Sequence, residues 1–293
     1  MTTPQTEALH EEAVGLDARP LGEVAELLLE GQVAAAQSVR GGMGSIVNGA
    51  RAMAEAIRSG GTLYYIAAGS SGLMAAADAQ ELGGTFSIPH AQIQIHMAGG
   101  LPTGPEMPGG TEDETAALDV LLQDLRPQDT IITVSASGTT PYTVAAARIA
   151  KAQGAAVIAI SNNRGAPLFD HADHAICAES PPEVLSGSTR MGAGTAQKIA
   201  LNMLSTLMAV DLGHVHDGMM VNLRADNQKL RARALATVSR IADVEEDIAA
   251  RALDAAGGEV KAAILIATGV ASPEVARAKL EQANGRLRAA LAR

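Results

Sequence analysis

Ser135, Ser137, Thr139 and Thr140 place four hydroxyls within six residues, and Pro141 follows them. So many hydroxyls fit a core badly, and Pro141 is well placed to open a helix. With the backbone amides of such a turn they can hold a phosphate monoester without lysine or arginine. The turn Ala68-Gly69-Ser70-Ser71-Gly72 offers the same chemistry more weakly. It lacks the Gly-Lys-Ser/Thr ending of a P-loop and the spacing of a dinucleotide fingerprint, so a purely structural turn fits it equally well. A third stretch runs from Pro181-Pro182-Glu183 through Ser186-Gly187-Ser188-Thr189-Arg190 to Gly192, Gly194, Gln197 and Lys198. It reads either as a substrate wall of one carboxylate, several hydroxyls and two cations, or as a helix entry. In the second case Ser188 or Thr189 caps the helix and the charges are solvated. Glu81 and Glu112 taken alone read as surface acids. Thr111, three residues before Glu114, makes Glu112 part of a possible capping box.

These residues need elements to aim them. Residues 62–67, 92–97, 130–134 and 156–160 are short, apolar and β-prone, as strands require. Helical spacing marks 21–59, 115–125, a segment from about 141 and another over 193–212. Strands alternating with helices imply an α/β fold: a doubly wound, mostly parallel sheet flanked by helices, with ligands at the carboxyl ends of its strands. After residue 235 the texture becomes short Ala-rich helical pieces broken by Gly257-Gly258, Gly269 and Ser272-Pro273. The expected division is 1–55 as an N-terminal helical segment, 56–235 as the α/β domain and 236–293 as a small helical domain.

Composition removes several functions. The 293 residues carry 22 basic and 32 acidic side chains, a net charge of −10, and only 2% aromatics with no Trp. That leaves neither a basic field nor stacking platforms for nucleic acid. One cysteine, Cys177, permits no internal disulfide and favours a reducing compartment. Residues 1–16 are polar and acidic with no apolar signal core, and no run reaches the length of a membrane span. A cytoplasmic protein without a membrane partner is expected. The pairs His171/His174 and His214/His216 lack ligand spacing and read as surface residues straddling turns, so no metal is expected.

The motif Ser135-x-Ser137-Gly138-x-Thr140 resembles the phosphate motif of sugar isomerase (SIS) domains. More closely, the chain resembles N-acetylmuramic acid 6-phosphate etherases and the related glucokinase regulatory proteins. The resemblance runs through Gly69-Ser70-Ser71-Gly72, Asp78-Ala79-Gln80-Glu81, Glu112-Asp113 and Ser137-Gly138-x-Thr140-Pro141-Tyr142. It continues through Gly187-Ser188-Thr189-Arg190, Ala193 to Lys198, and Val260-Lys261. It implies a SIS fold, a homodimer and a phosphorylated sugar substrate held by Ser70, Ser71, Ser135, Ser137, Thr140, Glu183, Ser188, Arg190 and Lys198. It also implies a lyase that abstracts the C2 proton, expels a C3 substituent and adds water, with no cofactor. Glu81 would then protonate the leaving group and Glu112 would be the base. Two carboxyls of different acidity suit those tasks. An aldose–ketose isomerase using Glu183 as base and a non-catalytic phosphosugar-binding regulator are the alternatives. The family pattern has cations where this chain has Leu73, Thr139 and Gly192, and Cys-Pro-Pro where it has Leu82-Gly83-Gly84. A C3 group other than the acidic lactyl ether is therefore expected.

Overall fold

The computed structural model describes residues 4–223 and 228–292, so residues 1–3 and 293, at the ends of the expected outer segments, and residues 224–227 lie outside the described residues. The chain forms two compact units, residues 1–79 with 90–205 and residues 80–89 with 206–293. These limits differ from the three expected segments. The N-terminal helices group with the sheet, and the second cut falls near 205 instead of 235.

The first unit opens with helices α1 (Leu21–Ser38) and α2 (Met43–Arg58), separated by one 3-10 turn at Val39–Gly42. The sheet comprises β1 (Leu63–Ala67), β2 (Ile93–Met97), β3 (Thr130–Val134), β4 (Ala156–Ser161) and β5 (His174–Cys177). Its order is β2-β1-β3-β4-β5, with every neighbouring pair parallel. All five residues of β1 and of β3 are buried, because helices cover both faces of a parallel sheet. Helices α3 (Gly69–Phe86), α4 (Leu118–Leu121), α5 (Pro141–Ala152) and α6 (Gly192–Asp211) complete the alternation. Ile66, Ile131, Val157, Leu122 and Leu168 are among the core residues under one face.

Three sequence expectations change. The helix expected over 115–125 is one turn, because Leu118, Leu122 and Leu125 reach the core from a short helix and the bend after it. His174 begins β5, an edge strand whose Ala and Cys content gives little β signal. His216 is only 9% exposed within a two-residue strand, so neither histidine is a turn residue at the surface.

The second unit holds the hairpin β6 (Val215–His216) and β7 (Met219–Met220). Five helices follow: α7 (Gln228–Ala242), α8 (Glu246–Ala255), α9 (Val260–Ala267), α10 (Pro273–Gln282) and α11 (Leu287–Leu291). Val238, Leu253, Ile264 and Leu265 meet there among many alanines, whose small side chains let short helices pack closely. Among the described residues no helix is long and apolar enough to cross a membrane.

Lys261 is half-buried in this unit, and its Nζ donates to the carbonyls of Gly213 at 3.2 Å and Gly285 at 3.0 Å. Burial lowers its ammonium from 10.5 to about 8. A neutral amine keeps two N–H donors, enough for both carbonyls. Between about 8 and 10.5 the unfolded chain therefore holds a proton that the native lysine has shed. Stability from this group rises with pH across that window and is flat below it, by up to about 3 kcal/mol. Thermal melts from pH 7 to 10 should show Lys261→Met losing this rise relative to the unsubstituted protein. Parallel curves would refute it.

Candidate active site

The chain leaves β1 for β2 on one side, then crosses back past β1 to β3 on the other. Loops after β1 and β3 therefore diverge at the carboxyl edge and leave a crevice between them. Ala67 pairs with Met97 on one side and Val134 on the other, so all three loops start at one level. Topology thus brings together the 68–71 turn, the 98–113 loop and the 135–140 loop.

In the 135–140 loop, Ser135 Oγ lies 2.8 Å from Thr140 Oγ1 and 3.3 Å from Ser137 Oγ. Gly138 N–H donates to Ser135 Oγ at 3.0 Å, and Thr139 N–H donates to Ser137 Oγ at 3.2 Å. Hydroxyls and amides thus converge, as a tetrahedral oxyanion requires. Gly138 has φ +70, and a Cβ there would lie 2.3 Å from Ala166 Cβ and 2.6 Å from Ser161 Oγ. Only glycine fits both the turn and the space. Pro141 occupies the first turn of α5, where its missing N–H costs no hydrogen bond.

Ser70 and Ser71 lie in the first turn of α3, whose unpaired amides favour an anion. Glu112 comes to the same place from the loop after β2. Its Oε1 would be 2.9 Å from a Cβ at Gly69, which has φ +53. Any side chain at 69 would displace this carboxylate. Thr111 forms no capping box: Thr111–Asp113 is a single 3-10 turn, and Thr111 Oγ1 is buried without a partner among the described residues. Glu112 is exposed and free to meet a ligand.

Glu183 behaves differently from its expected place in a substrate wall. It is 6% exposed, and its two oxygens accept from Gly192 and Ala193 N–H, each at 2.9 Å. It caps α6 from nine residues upstream, the task that sequence assigned to Ser188 or Thr189. A Cβ at residue 192 would stand 3.1 Å from Glu183 Oε2 and 3.2 Å from Ala35 Cβ, so glycine leaves room for this cap. Ser188 is partly exposed, while Arg190 and Lys198 are exposed. Neither cation forms a salt bridge with another described residue.

Sequence reasoning missed a buried cluster beside the crevice. Asp78 on α3 accepts from Tyr65 Oη at 3.0 Å, Asn202 Nδ2 at 2.7 Å and Ser205 Oγ at 2.8 Å. Burial raises its carboxyl, and the three donors with Lys198 pull it back. The cluster locks α3 to β1 and α6, fixing the direction in which α3 presents its first turn. Its only sequence signal is polar residues at helical spacing within otherwise apolar stretches. Glu81 is exposed ten residues after Ser71 on α3, with Thr85 Oγ1 3.5 Å from its carboxylate.

The SIS domain family matches residues 110–211, which span the 135–140 loop and all of α6. An N-acetylmuramic acid 6-phosphate etherase of Deinococcus radiodurans is 38% identical, with 99% of this chain and 96% of that protein covered. The chain belongs to the N-acetylmuramic acid 6-phosphate etherase family. It is a carbon–oxygen lyase. Another etherase, from Streptomyces avermitilis, is 40% identical over 100% of this chain and 94% of its own. That from Symbiobacterium thermophilum is 41% identical over 89% and 87%. Solved structures extend the etherase fold beyond these relatives. A Bacteroides fragilis protein described as a phosphosugar isomerase involved in capsule formation superposes with a TM-score of 0.53 at 20% identity, covering 68% of this chain and 95% of its own. A Listeria monocytogenes protein described as a sugar-phosphate isomerase gives 0.50 at 14% identity over 70% and 93%.

Proposed function

We propose that this etherase expels a C3 substituent from an amino-hexose 6-phosphate in its open aldehyde form. The phosphate sits on the hydroxyls and amides of Ser135, Ser137 and Thr140 and the first turn of α3 at Ser70 and Ser71. Glu112, held beside Gly69, takes the C2 proton, which the neighbouring aldehyde acidifies. The C2–H electron pair is first held by the aldehyde as an enolate and then forms the C2=C3 bond as the C3–O bond breaks. Glu81 gives its proton to the departing oxygen, and water then adds back across C2=C3. Acid and base roles on separate carboxyls are what this sequence of steps demands. The observation that carries the reading is Glu112 against the amide-rich turn at Gly69.

Glu183 gives the isomerase alternative little support, because both its oxygens are committed to α6. Glu183 serves here as the group that sets the entry of α6, with Ser188, Arg190 and Lys198 left to meet substrate. A homodimer is part of this reading, as the family resemblance implies. Exposed Leu21 (86%), Leu29 (59%) and Val33 (49%) on α1 give such a dimer an apolar face. The acidic chain with one free cysteine is assigned to the cytoplasm.

Incubating the protein with 6-phosphosugar ethers in deuterated water tests the reaction class. Deuterium at C2 with a released C3 fragment is expected. Deuterium with a ketose would mean isomerase, and no incorporation would mean a binding protein. Ser137→Ala should weaken phosphate binding by about tenfold, the loss of one charge-assisted hydrogen bond. Equal calorimetric affinity for phosphorylated and unphosphorylated sugar would refute the phosphate assignment.

A further inference from the structure

Asn163, just beyond β4, is 6% exposed and uses every edge of its carboxamide. Its Oδ1 accepts from Thr6 N–H at 3.2 Å, and its Nδ2 donates to Thr6 Oγ1 at 2.9 Å. The same Nδ2 donates to the carbonyls of Ala136 at 3.1 Å and Ser137 at 3.2 Å, on the back of the 135–140 loop. Thr6 is 1% exposed and comes from a 3-10 turn 157 residues away. Its donor and acceptor match the two edges of the carboxamide, so they decide which edge is the amino one. Turned over, Asn163 would present oxygen to two carbonyl oxygens. Asn162 N–H and Ser161 Oγ also bind the Ala136 carbonyl, and Leu168 N–H binds that of Gly138. In a planar trans peptide, carbonyls held on the outside leave the next amides facing in. Those are the amides of Ser137, Gly138 and Thr139.

We infer that Thr6 and Asn163 are positioning residues for phosphate, and that the N-terminal segment clasps the 135–140 loop from behind. This rests on the phosphate reading of that loop. The clasp sets the amides in place before the ligand arrives, so affinity is gained by pre-organisation. By linkage, phosphate in the loop tightens the clasp in return.

Calorimetric titration of inorganic phosphate into the full chain tests this, with Thr6→Val, Asn163→Ala and Ser137→Ala in parallel. Thr6→Val should weaken phosphate about fivefold and Asn163→Ala at least about tenfold. In turnover the same factors should appear in KM for the phosphosugar with little change in kcat, whereas a merely structural loss would lower the active fraction and kcat. Phosphate binding unchanged in Asn163→Ala but lost in Ser137→Ala would overturn the clasp and leave the loop assignment standing. Unchanged binding in both would remove the loop assignment and the clasp with it. If Asn163→Ala does not fold, hydrogen exchange of the Thr6 amide in the unsubstituted protein decides. Slower exchange with saturating phosphate supports the clasp, and equal exchange overturns it.

Discussion

Glu112→Gln should suppress both C2 deuterium exchange and release of the C3 group, by about 10²–10⁴-fold, the usual worth of a general base. Glu81→Gln should block release to a similar degree yet leave C2 exchange measurable, because the acid is gone and the base remains. Both side chains are exposed, so replacing carboxylate by amide removes no core contact and the melting temperature should hold. The two variants then report on chemistry and not on folding. Proton NMR of the residual substrate, followed alongside fragment release, separates the two steps. Equal residual exchange in both variants would overturn the division of roles, though not the lyase class.

The second large effect concerns the group at C3. The lactyl ether brings a carboxylate, and Leu73, Thr139 and Gly192 stand where the family resemblance implies cations. Leu73 is 36% exposed in the second turn of α3. Thr139 spends its hydroxyl on Ser137 Oγ at 2.9 Å. A Cβ at Gly192 would press on Glu183 Oε2 at 3.1 Å, against the carboxylate that caps α6. Arg190 and Lys198 remain as exposed cations of the 187–198 segment. A carboxylate taken from water without a partner costs several kcal/mol, of order 10²-fold or more in kcat/KM. We therefore expect weak turnover of N-acetylmuramic acid 6-phosphate and clear preference for a neutral or smaller C3 ether of the same phosphosugar. Installing arginine at 73 and 139 together should raise kcat/KM for the lactyl ether. Position 192 is left alone because a side chain there would push against Glu183. A preference for the lactyl compound in the unsubstituted protein would sink this expectation.

Much of the architecture is local in origin and was visible in the residues alone. Apolar β-prone runs alternating with helical spacing led to a parallel α/β sheet, because buried strands and amphipathic helices leave different periodicities. Four of the five sheet strands lie within a residue or two of where that pattern places them. Pro141 opens α5 as its fixed φ requires. The hydroxyl-rich 135–140 loop and the Gly-Ser turn at 69–72 announced themselves by composition, since such residues are wasted in a core.

Tertiary structure alone decided which of these groups meet. Spacing offered Glu112 a capping box and the resemblance made it the base, and chain crossing at β1 carries it to Gly69, forty-three positions away. Glu183 looked like a substrate group, and only the path of the 181–191 loop aims it at the first amides of α6. Nothing in the spacing links Thr6 to Asn163 or Tyr65 to Asp78 and Asn202. Such pairings are satisfied hydrogen bonds between distant segments, and a buried polar group finds its partner only after the sheet has folded. Periodicity records which face of an element is covered. It carries no record of which remote side chain covers it.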